Sequence, residues 1–153
     1  MSLTLSSGPG VEPLTTAEAK SHLRVDTSDD DTLIDSLILA SRHFVENYTG
    51  RQLIQATWVL KRKGFVNELY LPRSPLSSVS SIQYVDEDGA TQTLAASVYT
   101  VDADSNPGRV VIAYGQDWPN LRDQINNVTI TFVAGYGTAV TDVPEPIRQA
   151  IRL

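Results

Sequence analysis

The chain has 153 residues, of which 41% are hydrophobic and 20% charged, which is enough for one domain with an ordinary buried core and argues against disorder throughout. Its formal net charge of −6 excludes sequence-independent coating of DNA. The absence of Cys excludes disulfide scaffolds, thiolate metal sites and Cys nucleophiles.

The first fourteen residues, 1–14, are predicted to be a flexible segment. Two glycines and two prolines keep this segment extended or mobile: Gly8, Pro9, Gly10 and Pro13. It lacks the basic and apolar regions of a signal peptide, and no later apolar run reaches the roughly 20 residues of a membrane-spanning helix. We therefore expect synthesis in the cytoplasm and no membrane partner.

Residues 15–50 are predicted to be helical. A capping box from Thr15 to Glu18 predicts a short helix over about 16–23. Acidic residues then precede a long amphipathic helix over about 29–49. Its apolar face is predicted to hold Leu33, Ile34, Leu37, Ile38, Ser41, Phe44, Val45 and Tyr48. The opposite, polar face is predicted to hold Asp35, Arg42, Glu46 and Asn47.

Residues 51–141 are predicted to form a β-rich insertion, because the apolar period falls from near four to near two. Turn sequences at 86–89 and 105–108 separate the strands and favour a small antiparallel sheet or barrel. Residues 142–153 begin a further helix, with Asp142 as its N-cap and proline early in its first turn. The sequence thus predicts a single α+β unit whose helical core is interrupted by the insertion.

Two acidic clusters offer oxygen ligands for a divalent cation, but neither has the spacing of a calcium loop. We interpret the first, Asp29 to Asp31 with Asp35, as helix capping and dipole complementarity. The second, at 86–88, is interpreted as a solvated hairpin tip. We expect no metal site and no cofactor.

Catalytic chemistry finds little support in the sequence. His22 and His43 are the imidazole candidates for a general base, and neither has a suggestive neighbour. The sequence contains no nucleophile elbow, P-loop or dinucleotide fingerprint. No catalytic residue is assigned, and we expect a protein that is not an enzyme.

Two surface features suggest binding. The basic segment Lys61, Arg62 and Lys63 can contact phosphates, although three cations at a strand end are usually just solvated. Trp118 and Tyr136 suggest a carbohydrate platform, although aromatic residues at strand spacing more often belong to the core. Exposure of these rings would favour glycan binding, and burial would oppose it.

The ordered set of motifs is more specific than any one of them. It begins with LTTAEAKSHLRVDTSDDDTLIDSLILASRHFVENYTGRQLI at residues 14–54. It continues with W-x-L at 58–60, LYLPRSPLSSVSSIQYVDEDG, FVAGYG and VPEPIRQAIRL. This order resembles the head-to-tail connector family of long-tailed bacteriophages and related gene-transfer particles, also called adaptor or head-completion proteins. Against the family pattern the last helix is cut short at Leu153, which we interpret as a sign that the natural protein, or at least the family pattern, continues past this residue.

The resemblance implies a virion protein that forms a ring of about twelve copies on the portal at the capsid vertex. Such a ring extends the DNA channel, through which DNA passes without specific binding, and presents a platform for stopper or tail proteins. The last helix is implied to dock the portal through Ile147, Arg148, Ile151, Arg152 and Leu153. Alternatively, this helix packs on the long helix of its own subunit.

Two other functions are also compatible with the sequence. A neighbouring stopper or tail terminator would be mainly β, so the long helix argues against it. A glycan-binding tail module would use the β-rich region.

Overall fold

The computed structural model describes residues 1–152, which form three helices and two antiparallel sheets, a mixed α+β fold. The helices are α1 (Thr16–Leu23), α2 (Asp31–Thr49) and α3 (Glu145–Arg152). The strands are β1 (Ser2–Ser7), β2 (Ala56–Arg62), β3 (Glu68–Tyr70), β4 (Leu76–Val85), β5 (Thr91–Thr93), β6 (Tyr99–Asp102), β7 (Arg109–Ile112) and β8 (Val128–Ala134).

The two sheets share one apolar core. The larger sheet has the strand order β1-β2-β8-β4-β5, and the smaller has the order β3-β7-β6. Alternate residues of β8 are buried, as period-two side-chain direction requires. The core draws Leu60, Ile82, Ile130 and Phe132 from the larger sheet, and Leu69 and Val110 from the smaller.

A second apolar core lies among the helices. It contains Ala19 of α1, Ile34 and Ile38 of α2, and Ile151 of α3, together with Leu53 and Ile54 from the segment that follows α2. Residues just after α2 therefore pack with the helices before the chain enters β2. Within residues 1–152, no helix is both long and apolar enough to cross a membrane.

Helix α2 buries only part of the apolar face that the sequence predicts, namely Ile34 and Ile38. Its buried residues recur every four positions: Ile34, Ile38, Arg42 and Glu46. Several residues of the predicted apolar face are exposed instead: Leu33, Leu37, Phe44 and Tyr48. The assignment of Arg42 and Glu46 to the face opposite the buried one is wrong, because both side chains are buried and each finds partners inside the fold.

Glu46 is the acceptor at the centre of those contacts. Its carboxylate accepts from Arg42 Nη1 at 2.9 Å, Gln52 Nε2 at 2.8 Å and the Leu53 backbone N–H at 3.0 Å. A buried carboxylate is tolerated when its charge is paired and its lone pairs are filled. These bonds fix the chain just after α2 against the helix.

The network extends to both neighbouring parts of the fold. Arg42 Nε donates to Glu12 at 2.7 Å, which ties down the N-terminal segment. Gln52 Oε1 accepts from the Trp58 indole N–H at 3.1 Å, and the Arg73 guanidinium lies 4.9 Å from the centre of the Trp58 ring. The N-terminal segment, α2 and β2 are thus joined through one set of polar contacts.

The N-terminal segment is ordered, which corrects the prediction that residues 1–14 are flexible. Strand β1 pairs with β2 along the outer edge of the larger sheet, and Leu3 packs against the sheet core. Leu14 is buried among the helices. The glycines and prolines at 8–13 lie between these two anchors and connect them.

Gly135 allows the β-rich part to meet the helical part closely. Its φ is +133°, and a Cβ there would lie 2.6 Å from the Gln55 backbone. Just beyond it, the Tyr136 N–H donates to the Leu53 carbonyl at 3.0 Å. The end of β8 is thereby held against the segment that follows α2.

Replacement of Glu46 by Ala should destabilise the protein by about 3 kcal/mol, because it leaves buried donors on Arg42, Gln52 and Leu53 without their acceptor. Urea denaturation followed by circular dichroism measures the change. Glu87→Ala, which removes an exposed carboxylate, is the control and should stay within about 0.5 kcal/mol of the wild type. Equal stability of the two variants would contradict the role given to Glu46.

Candidate functional site

Four of the five residues predicted to dock the portal lie on α3 and pack within their own subunit. Arg148 and Ile151 are buried, and Ile147 and Arg152 are half-buried. Ile151 belongs to the helical core, and Ile147 packs against it. The fifth, Leu153, lies outside the described residues.

The two arginines of α3 form an ion-pair cluster with α1. Arg148 donates to the Pro13 carbonyl at 3.1 Å, to Glu145 at 2.8 Å and to Glu18. Arg152 pairs with Glu145 at 2.8 Å and with Glu18 at 3.5 Å. This geometry favours the alternative in which α3 packs on its own subunit, and portal docking stays a prediction.

Glu18 is the shared acceptor of this cluster. The Thr15 backbone N–H and hydroxyl each donate to its Oε2 at 2.9 Å, which completes the capping box expected from the sequence. The backbone bond from Thr15, followed by the bond from Arg148, lowers the pKa of Glu18 to about 2. The carboxylate is therefore ionised at neutral pH and fastens the start of α1 to α3.

The acidic run at the start of α2 ties the first two helices together. Asp31 accepts from Lys20 Nζ at 2.6 Å, and Asp35 accepts from the Thr16 hydroxyl at 2.5 Å. Asp30 occupies the N-cap position without a side-chain capping bond. Among the described residues, no group of three or more His or acidic side chains could hold a metal ion.

The second acidic cluster closes the hairpin between β4 and β5. The Asp86 side chain accepts from Gln92 Nε2 and from the Ala90 N–H, each at 2.8 Å. The bond from Gln92, followed by that from Ala90, lowers the pKa of Asp86. Glu87 and Asp88 are exposed at the tip.

The basic segment at the end of β2 has mixed surroundings. Lys61 and Lys63 are exposed, whereas Arg62 is half-buried. Lys63 Nζ lies 2.6 Å from the carboxylate of Asp123, and the two side chains are both largely exposed. The phosphate contact of these three residues stays a prediction.

The two aromatic residues considered for glycan binding are engaged inside the protein. The Trp118 ring stacks on Phe65, with ring centres 4.4 Å apart and planes 4° from parallel. The Tyr136 hydroxyl accepts from Arg51 at 2.6 Å. Both aromatic residues are half-buried, so their packing opposes the carbohydrate platform.

A groove of about 260 Å³ opens between the three helices. Leu23 and Leu37 lie at its more exposed margin, and Ile34 and Ile151 are buried beneath it. His22 also lines the groove, whereas the other histidine, His43, is exposed on α2. The lining is mostly apolar, which suits contact with an apolar side chain.

Sequence reasoning missed the buried pair of Arg42 and Glu46 and the exposed apolar residues of α2. A signal for the pair was present, because both charges continue the four-residue repeat of Ile34 and Ile38. A charged residue in phase with core residues can be buried when its partner lies one turn away.

A match to a protein-family model shows which family this chain belongs to. A family model described as "Phage gp6-like head-tail connector protein" matches residues 14–101, more than half of the chain. The chain belongs to this head-tail connector family. The match confirms the resemblance seen in the sequence, and with it the prediction of a virion protein at the head-tail connector. A search of curated proteins returned no match.

Solved structures with the same fold come from gene transfer agent particles. This connector protein is 26% identical to a chain in the neck of an empty particle computed with C6 symmetry, with a TM-score of 0.83 over 99% of this chain and 80% of that one. A chain in the virion of a native particle is 24% identical, with a TM-score of 0.81 and coverage of 99% and 80%. A third chain, from a native neck computed with C12 symmetry, is 23% identical, with a TM-score of 0.80 and coverage of 99% and 79%.

Replacement of Glu18 by Gln should make the stability of this connector protein less sensitive to a fall in pH. Because the folded pKa is lowered, ionised Glu18 contributes stability above about pH 4.5 and loses that contribution as pH falls towards 2. With a third of the side chain exposed, solvent screening limits the contribution to about 1–2 kcal/mol.

Thermal unfolding at pH 7, 4.5 and 2.5 measures this difference between wild type and Glu18→Gln. The difference in thermal midpoint between the two proteins should be largest at pH 7 and smaller at pH 2.5. Glu87→Gln serves as the control for an exposed carboxylate and should show no such trend. A gap that stays constant across the pH range would contradict the pairing of Glu18 with Thr15 and Arg148.

Proposed function

We propose that this connector protein is the adaptor that forms a ring on the portal at the capsid vertex. The ring extends the DNA channel and provides the platform to which stopper or tail proteins attach. The observation that carries this proposal is the family match, supported by the neck chain that shares 26% identity and nearly the whole fold. Six-fold symmetry in that neck is compatible with six or twelve copies, and we propose about twelve.

The charge distribution fits a protein through which DNA moves. Residues 1–50 hold eight acids and three bases, a net charge of −5, whereas residues 51–153 have a net charge of −1. An acidic channel wall repels phosphates and lets DNA slide without specific binding. Lys61, Arg62 and Lys63 remain our candidates for a local phosphate contact.

Carboxylates with lowered pKa values stabilise the helices and the smaller sheet through bonds from arginines. Glu18 joins α1 to α3, and Glu145 accepts from both arginines of α3. Asp102 and Glu68 both accept from Arg109, which joins the strands of the smaller sheet. These roles suit a structural virion protein, and we propose that the adaptor is not an enzyme and needs no cofactor.

The adaptor proposal is tested by purifying the tagged chain from cells that produce its native particle and examining the product by negative-stain electron microscopy. Capsids or portal rings labelled at one vertex are the expected result. Recovery of free protein without particles or portal, from cells in which particles form, would refute it. An unrelated tagged cytoplasmic protein from the same cells is the control.

The portal contact is proposed to lie on α3, and it can be tested without disturbing the core. Ile147 and Ile151 are unsuitable targets, because their replacement would remove core contacts. Ala150 and Gln149 are exposed on the same helix, and Gln149 donates to Glu145 at 3.1 Å, so Ala150→Asp and Gln149→Lys, which keeps a donor beside Glu145, should leave the fold intact.

If α3 docks the portal, these two variants should recover at least tenfold less portal protein, with an unchanged thermal midpoint. Ala103→Asp makes the matched change at an exposed residue after β6 and should recover portal normally. Normal recovery with all three variants would refute the α3 contact while leaving the adaptor proposal in place.

A further inference from the structure

Helix α2 carries a second stripe, directed away from its buried one. Leu33, Leu37, Phe44 and Tyr48 are 57%, 53%, 70% and 83% exposed. At about 100° per residue these four positions fall within about 60° of one another around the helix. We call these four residues the outer stripe. The Phe44 and Tyr48 rings stack with centres 6.2 Å apart, so they project as one aromatic unit.

The surface around the outer stripe carries no exposed formal charge along most of the helix. Between Ser36 and Tyr48 the only Asp, Glu, Lys or Arg residues are Arg42 and Glu46, which are buried and paired with each other. Elsewhere the first fifty residues are strongly acidic. Interface centres are poor in charged residues and rich in aromatic ones, so this surface has the composition of a protein contact.

The two ends of the outer stripe differ in shape. At the Leu37 end the stripe borders the apolar groove between the three helices. At the other end the stacked pair of Phe44 and Tyr48 projects from the helix. A cavity of about 150 Å³ lined by apolar side chains accommodates benzene, so the groove of about 260 Å³ has room for an aromatic side chain.

We propose that Phe44 and Tyr48 of one copy enter the groove between the helices of the next copy, and that this contact joins neighbouring subunits in the connector ring. A cyclic ring needs two different, complementary surfaces on each subunit. The projecting pair and the groove supply such surfaces on one helical unit. This inference rests on the proposed function, because it places the contact within the ring.

The area of the projecting pair is compatible with a second copy as its occupant. Aromatic side chains present about 150–250 Å² each, so Phe44 and Tyr48, 70% and 83% exposed, offer roughly 300 Å² from one copy. One partner of a standard interface buries about 800 Å². The pair therefore supplies part of one side of the contact, Leu37 lies on the other side at the groove of the next copy, and neighbouring residues complete both sides.

Site-specific photo-crosslinking in assembled particles tests this contact. A benzophenone amino acid replaces Phe44 or Tyr48, and in the control it replaces His43, which is exposed on another side of α2. After illumination, mass spectrometry identifies the crosslinked peptides. We expect crosslinks from positions 44 and 48 to the groove segments 14–41 or 147–152 of a second copy, at least tenfold above those from position 43.

Crosslinks to a different protein, to another segment of this chain, or at the same yield from all three positions would overturn the inference. Presence of the wild-type chain in the particles is scored separately. Its absence would refute the proposed function itself, so the two failures are distinguishable.

Charge substitutions provide a second readout. Phe44→Glu with Tyr48→Glu should lower the copies per particle at least tenfold, as should Leu37→Glu at the groove. The thermal midpoint of the isolated protein should not change, because these side chains are exposed. His43→Glu with Asn47→Glu adds the same charge to α2 as the double variant and should be incorporated normally. Normal incorporation of the outer-stripe variants would overturn the inference.

Discussion

A buried carboxylate is tolerated inside a protein only when donors surround it, and that constraint governs the middle of this fold. Glu46 meets it with bonds from its own helix, from the Gln52 side chain and from the backbone at Leu53. The donors come from both sides of the turn that follows α2, so satisfying the charge also fixes the direction in which the chain leaves the helix. Through Arg42 and Gln52 the same contacts reach Glu12 and Trp58. Polar bonds at the junction between the two apolar cores therefore fix the position of one core against the other.

Local signals in the sequence predicted local structure well. The capping box at Thr15 and the glycine at position 50 mark helix ends in the structure as they do in the sequence. The pairing of the strands could not be predicted from the sequence, because the partners of β2 lie about fifty residues before it and seventy residues after it. The burial of Arg42 escaped prediction for a similar reason, since part of its charge compensation comes from distant Glu12. On α3, the spacing of Ile147 and Ile151 suits docking and core packing equally, and only the fold shows which neighbours they contact.

Helix α2 reverses the usual arrangement of an amphipathic helix over part of its length. Its buried stripe contains a charged pair, and its exposed stripe contains leucines and aromatic rings. The hydrated apolar stripe is unfavourable for a monomer. It is reasonable for a subunit whose final environment includes other protein. A buried pair at this position also keeps the opposite face free of formal charge, so the interior of the subunit and the composition of its outer surface are linked.

The strand order also determines when the fold can be completed during synthesis. Strand β8 lies between β2 and β4 in the larger sheet, yet it is the last strand made. At about 5–20 residues per second, roughly 4–14 s separate the end of β2 from the end of β8 on the ribosome. During that interval β2, and β4 once it has been made, each present an unpaired edge, the kind of surface that promotes aggregation. The helices α1 and α2 have already been made by then. The yield of folded protein therefore depends on the rate at which translation delivers residues 128–134.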